Sequence, residues 1–421
     1  MKKINRDFKP GKLDHCQISG SQNLFEAIDL GFQPSAGALV SKEGLHQSET
    51  HYPLRLMICP ESGLGQLDYV VDSKVLFSDT DYVYRTGISQ PLREHLKALT
   101  EEIAEKLTLP KKSFCVDVGS NDGTLLTNFR DQGMRTLGVE PTNMAKTARK
   151  ENKIATRQAF FNEAVAKDIV KKHGHAKVIT FTNVFAHVSS LGEVMRGLKR
   201  LLDTDGVVVS ESQYLLDVFE RNQFDQIYHE HVRIYSLKSL VKLFPYYGME
   251  VFDAKRVRTR EGSIRIYAGR KGKRPISPEV KRLLQAEEKA GLFKPAAWAK
   301  FRAQVGKSKY QFLELALKAK KEGLRLVADS CPTRGVVVVN YYGLDKTLLP
   351  YIAQLPGTEK VGKYMPGTHN PIVSNEILLK ENPEYVLILA WHFADFIIKN
   401  WRAKGLKSKF IVPLPEFKII D

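Results

Sequence analysis

Cysteine is scarce in this 421-residue chain: Cys16, Cys59, Cys115 and Cys331 lie far apart. So few thiols in so large a chain exclude a disulfide framework and suit a reducing cytoplasm. Long apolar runs are missing too, and none reaches the about 18 residues that a membrane helix needs. The basic start, 1–16, has no apolar stretch behind it and so lacks the form of a secretory signal. No internal repeat of convincing period is present, and no signature of an RNA- or DNA-binding module.

Hydrophobic residues make up 43% of the chain and charged residues 26%, the profile of a folded protein, and the length suits two or three domains. The formal charge of +17, from 64 Lys+Arg against 47 Asp+Glu, suits an anionic partner such as nucleic acid, an acidic membrane surface or a phosphorylated small molecule. The basic residues are spread through 271–274, 281–300 and 318–321 among Glu, Ala and Leu, so solvated helix faces account for most of them.

Residues 1–75 are rich in turn formers and read as a small irregular or β-rich module. Within it Cys16-Gln-Ile-Ser19 and Cys59-Pro-Glu-Ser62 stand like two zinc knuckles that each lack one cysteine. The spacing of apolar residues predicts a lead-in helix over 90–108. Strands over 114–118, 135–140, 177–182 and 206–211 then alternate with helices over 125–132, 143–152 and 191–202, the pattern of parallel crossover units. A helix over 236–247 and a hairpin over 256–268 close this part. Residues 278–322 read as helix with a break near 291–295, followed by short strands over 324–328, 385–389 and 410–412. The expected fold is α/β in three parts. A small zinc-binding-like module (1–75) precedes a central doubly wound, Rossmann-like domain (76–275), and a helical connector leads to a smaller α/β domain (276–421).

The first central strand runs through Asp117 into Gly119-Ser-Asn121-Asp122-Gly123 and a helix. Glycines there let the backbone approach a ligand, and the helix start offers free N–H groups. This turn fits neither the spaced glycines of a dinucleotide site nor a Walker loop. It suits a nucleotide or the methionine end of S-adenosylmethionine. Glu140, at the next strand end, is placed to accept bonds from ribose hydroxyls. Read plainly, these would be a turn and two strand-end carboxylates, but their register favours a cofactor site.

Two histidine clusters follow. The strand over 177–182 leads into Asn183-Val-Phe-Ala-His187, and Asp225-Gln-Ile-Tyr228-His229-Glu230-His231 comes after the strand over 206–211. A phenol, a carboxylate and imidazoles beyond strand ends point to proton chemistry. These motifs resemble those of the nucleotide-sugar C-methyltransferases, S-adenosylmethionine-dependent enzymes that methylate C-3 of dTDP-4-keto-deoxysugars. Residues 24–67 resemble that family's zinc-binding module, 77–84 its tyrosine-bearing segment, and 364–369 with 410–416 its carboxyl-terminal domain.

The resemblance implies cofactor contacts at Asp117, Gly119, Asn121, Asp122, Gly123, Glu140 and Asn183. It makes His231 the general base that deprotonates the carbon beside the ketone, with His187, Tyr228 and Glu230 holding or polarising the sugar. Tyr82 falls in the segment that closes over the substrate, and Arg265 is placed with it as a substrate residue. His229 has no family role and is expected to face solvent. The family module holds zinc with four cysteines. Ser19 and Ser62 stand at two of those positions, so Cys16 and Cys59 are remnants, metal would need His15, His46 or His51, and the module is expected to persist on packing without zinc. Asp329-Ser-Cys-Pro-Thr-Arg-Gly335 departs from the usual glycine-rich turn, and Arg260-Glu-Gly262 from His-Gly-Gly beside the sugar pocket. The expected partner is a nucleotide sugar, with neither membrane nor nucleic acid. The alternatives are a methyltransferase on another small acceptor and a non-catalytic, basic, nucleic-acid-binding relative.

Overall fold

The computed structural model describes residues 7, 10–76, 85–188 and 190–421. Near the amino terminus, Leu54, Leu56 and Ile58 alternate along one strand and are fully buried, the period-two pattern of a sheet with one face on a core. This strand, His51–Ile58, pairs with Phe25–Pro34 and Gly65–Leu67 in an antiparallel sheet. The fourth strand of that sheet is Arg233–Ile234, from beyond the histidine run, so the module is stitched to the central part by main-chain bonds.

The central sheet has seven strands: β1 (Phe114–Val118), β2 (Arg135–Val139), β3 (Thr156–Arg157), β4 (Ala176–Thr182), β5 (Leu202–Gln213), β6 (Met249–Val257) and β7 (Ser263–Arg270). Their order is β6-β7-β5-β4-β1-β2-β3, with β1 to β5 parallel and β7 antiparallel to both its neighbours. The winding reverses between β1 and β4, and this leaves a crevice at the carboxyl edge of the sheet. One face is covered by α1 (Gln90–Lys106), whose Leu96, Leu99 and Ile103 recur at helical spacing and pack with Phe129, Val178 and Val209. The other face takes Ile169 and the Leu191, Val194, Met195 and Leu198 stripe.

A helix at Glu163–His173 is absent from the sequence reading, though its signal is present. Asn162 caps it, accepting from Val165 N at 2.9 Å. β5 runs longer at both ends than its apolar stretch because its polar ends are held by β4 and β7.

Two helices, Pro278–Lys289 and Pro295–Lys321, follow, broken at Gly291 with φ +70° and at Pro295. The last sheet has the order Ile372–Ser374, Ile352–Gln354, Leu326–Asp329, Tyr385–Ile388, Lys409–Val412, Lys418–Ile420, parallel except for its final strand. The strands at Ile352–Gln354 and Ile372–Ser374 have three residues each, too few for a periodic pattern. No described helix is long and apolar enough to cross a membrane.

Candidate active site

At the carboxyl edge, β1 enters its turn through Gly119 at φ +70°. A Cβ there would lie 2.3 Å from Val184 Cγ2, so only glycine lets the turn pass beneath the loop that follows β4. Asp117 is buried and accepts from Thr180 Oγ1 at 2.6 Å. Burial pushes its carboxyl up to about 7, and the nearby charge of Glu140 adds to the rise. Glu140 anchors the turn. Its Oε2 accepts from Asn121 N at 2.8 Å, while Oε1 accepts from Thr142 N at 2.9 Å and Thr142 Oγ1 at 2.7 Å. Asn183, at φ +55°, donates its N–H to Glu211 O at 2.7 Å. Its side-chain Oδ1 is buried with no hydrogen-bond partner among the described residues.

A grip on this turn went unread in the sequence. Asp122, fully buried, accepts from Thr124 Oγ1 at 2.6 Å, Arg85 Nε at 3.2 Å and Gly87 N at 3.0 Å. Thr86 N donates to Asn121 Oδ1 at 2.9 Å. Backbone donors from a linker carry no side-chain pattern, so nothing in the sequence marked them. Tyr82, together with the rest of 77–84, lies outside the described residues.

The imidazoles meet beyond the carboxyl ends of β4 and β5. His231 is buried, with its Nδ1 2.7 Å from Gln226 O. A carbonyl can only accept, so Nδ1 carries the proton, and in the neutral ring the lone pair is on Nε2. Gln213, the last residue of β5, donates its Nε2–H toward that lone pair at 3.1 Å. The His187 ring is 4.9 Å from His231, and the Tyr228 ring 4.0 Å. Glu230 stands against the amino-terminal module, its Oε1 only 3.2 Å from where a Cβ on Gly37 would be. Burial pushes its carboxyl up to about 7. The structure thus brings His187, Tyr228 and His231 together, with Glu230 at the module boundary.

One expectation changes, and one candidate residue is placed apart from the imidazoles. His229 does not face solvent: it is buried, donates through Nε2 to Pro53 O at 3.3 Å, and presents its ring edge-on to Tyr52. The amino-terminal sheet packs over the run and covers it, and burial lowers its affinity for a proton. Arg265 is not among the imidazoles. Its guanidinium is taken up by Glu211, at 2.9 Å from Nε and 2.8 Å from Nη2, and by Glu102 at 2.8 Å. Glu211 in turn pairs with His95 at 2.7 Å, a residue of α1 that the sequence reading passed over.

In the amino-terminal module Cys16, Ser19, Cys59 and Ser62 come together, as the knuckle reading expects. His15 pairs instead with Asp14, and among the described residues no group of three or more His, Cys, Asp or Glu is arranged to hold a metal.

Family models match three consecutive stretches: a zinc binding domain over 16–77, a methyltransferase domain over 90–254 and a C-methyltransferase C-terminal domain over 258–415. Over 412 residues, 97% of either chain, the sequence is 30% identical to C-methyltransferase NovU of Streptomyces niveus. The chain belongs to the C-methyltransferase family. It is an S-adenosylmethionine-dependent methyltransferase. Similar solved structures include a SAM-dependent methyltransferase from Anabaena variabilis, at 16% identity, covering 42% of this chain and 86% of that one with a TM-score of 0.36. Another is the glycopeptide N-methyltransferase MtfA complexed with S-adenosylmethionine, at 10% identity, 41% and 93% coverage and a TM-score of 0.33.

The residues at the β1 and β4 ends fit S-adenosylmethionine. Gly119 lets the turn pass close under Val184, Asn183 carries a buried amide oxygen with no hydrogen-bond partner among the described residues, and Glu140 supplies a carboxylate at the neighbouring strand end. The zinc ligands that the amino-terminal family model implies are not matched, since two thiols and two hydroxyls stand at the four corners.

Proposed function

We propose that this C-methyltransferase acts on a nucleotide-linked keto-deoxysugar, methylating the carbon beside the ketone after His231 has removed its proton. The observation that carries this reading is the bond from His231 Nδ1 to Gln226 O, which puts the basic lone pair on Nε2, where Gln213 is the donor that a substrate would displace. A neutral imidazole with a fixed tautomer is a suitable base near pH 7. Removing that proton makes an enolate, whose oxygen needs donors. Tyr228 and His187, both packed on the His231 ring, are placed to provide them. Glu230, with its carboxyl near 7, can supply a proton as well as accept one at physiological pH.

Asp117, Gly119, Asn121, Asp122, Gly123, Glu140 and Asn183 hold S-adenosylmethionine in this reading. When bound, that molecule supplies the methyl group as an electrophile on a sulfonium centre. Tyr82 closes over the sugar, and Arg265 acts from beneath, as a positioning residue that fixes Glu211 and through it the turn at Asn183. The charge of +17 supports a diphosphate-bearing substrate, and the four free cysteines support a cytoplasmic setting. The module, the methyltransferase domain and the connector with its α/β domain are assigned 1–75, 76–275 and 276–421.

Mass spectrometry of reactions with a panel of dTDP- and other nucleotide-linked keto sugars tests the proposal. A product heavier by one methylene, carbon-linked by NMR, is expected from at least one member. Turnover of a nucleotide-free acceptor with none of the panel methylated would overturn it.

A further inference from the structure

The two knuckle turns retain their backbone bonding. In the first, Ile18 N and Ser19 N point at Cys16 Sγ at 3.4 and 3.5 Å, and Gly20 N donates to Cys16 O at 2.9 Å. In the second, Ser62 N points at Cys59 Sγ at 3.5 Å, and Gly63 N donates to Cys59 O at 2.8 Å. Gly20 and Gly63 both sit at positive φ, +73° and +77°, where each turn reverses. These N–H groups aimed at sulfur are the support that thiolates at a tetrahedral metal would need. They persist although two of the four corners are serine.

The serines are bonded as corners also. Ser21 N donates to Ser19 Oγ at 3.3 Å and Leu64 N to Ser62 Oγ at 3.2 Å, each two residues on, as Ile18 N stands to Cys16 Sγ. Across the gap the turns exchange partners: Cys16 Sγ lies 3.1 Å from Ser62 Oγ, and Cys59 Sγ lies 3.5 Å from Ser19 Oγ. Cys16, Cys59 and Ser62 are fully buried. Neutral hydroxyls in such a place are poor ligands for zinc, but they satisfy the thiols and are satisfied by them.

We propose that a thiol–hydroxyl ring closes this module in place of a metal ion, and that exchanging both serines for cysteine is enough to make it a zinc site. The ring matters to the active site because the sheet it closes carries Pro53, which accepts from His229, and is followed from Phe25–Pro34 by Gly37, which borders Glu230.

The test compares the full-length protein with its Ser19→Cys/Ser62→Cys variant, both grown with added zinc and dialysed. The wild type should hold well under about 0.1 zinc per chain, and its melting temperature should ignore EDTA; the variant should hold about one, and EDTA should lower its melting temperature. Cobalt(II) titration should give sulfur-to-metal charge-transfer absorption in the variant alone. A full zinc in the dialysed wild type would overturn the proposal, as would a folded double variant that takes up neither metal. Should the double variant fail to fold, Ser19→Ala/Ser62→Ala carries the test. Loss of both hydroxyls must lower the melting temperature by a few degrees, and an unchanged value would show that the ring does not close the module.

Discussion

Asp225 and Arg334, 109 residues apart, meet in a two-pronged buried ion pair, with Nε to Oδ2 at 2.7 Å and Nη2 to Oδ1 at 2.9 Å. Trp391 Nε1 adds a third bond to the same carboxylate at 2.8 Å. Asp225 stands three residues before Tyr228, so two side chains of the carboxyl-terminal part hold the start of the run that ends in His231.

Breaking that pair should cost more than its net contribution to stability. Arg334→Met leaves the Asp225 charge buried with only Trp391 beside it, an effect of about 3–5 kcal/mol. Adding Asp225→Leu should restore most of the loss, because no unpaired charge then remains. Urea unfolding of the two singles and the double measures this. A single Arg334→Met loss below about 1 kcal/mol would show that the pair is not the clamp described.

Glu230 gives the fold a particular pH dependence. Burial raises its carboxyl from an ordinary 4.5 to about 7 in the folded chain. Between those values the folded protein holds a proton that the unfolded chain has released, so this residue's contribution to stability is complete below about pH 4.5 and is lost as pH rises through 7. Glu230→Gln has no such loss. Relative to wild type the variant should gain little at pH 5 and up to about 3 kcal/mol at pH 8. Equal differences in unfolding free energy at the two pH values would rule out a raised carboxyl at this position.

Glu140 should be needed for the cofactor twice over, through the ribose and through the turn that it anchors at Asn121. Glu140→Ala is expected to weaken S-adenosylmethionine binding by about 1.5–3 kcal/mol, the range for lost bonds to a charged group. Calorimetry that returned wild-type affinity would remove Glu140 from the cofactor site.

What was legible in the sequence follows from the range of the interactions. β1, its Gly119–Gly123 turn and Glu140 at the β2 end are local or one crossover apart, and periodicity with glycine placement reveals them. The gathering of His187, Tyr228 and His231 could be expected from strand ends and from the resemblance, and the rings do pack together. Other features depend on contacts that no local pattern encodes. Arg334 and Trp391 reach Asp225 from two helical segments of the carboxyl-terminal part, Arg85 and Gly87 hold Asp122 from a linker, and Glu211 neutralises Arg265 across two paired strands. His229 was misplaced for the same reason. Its neighbours Tyr52 and Pro53 come from a strand about 180 residues earlier, and a histidine within a run of three candidate residues carries no mark of what will cover it.

The assignment of His231 as base is tested most directly by isotope exchange without methyl transfer. Wild-type enzyme, given the proposed keto-sugar substrate with S-adenosylhomocysteine in heavy water, should wash deuterium into the carbon beside the ketone. His231→Asn should slow that exchange by about 10²-fold or more while leaving cofactor affinity near wild type, and His187→Asn should retain part of it. Exchange that continues undiminished in the His231 variant would contradict the account and pass the role of base to Tyr228.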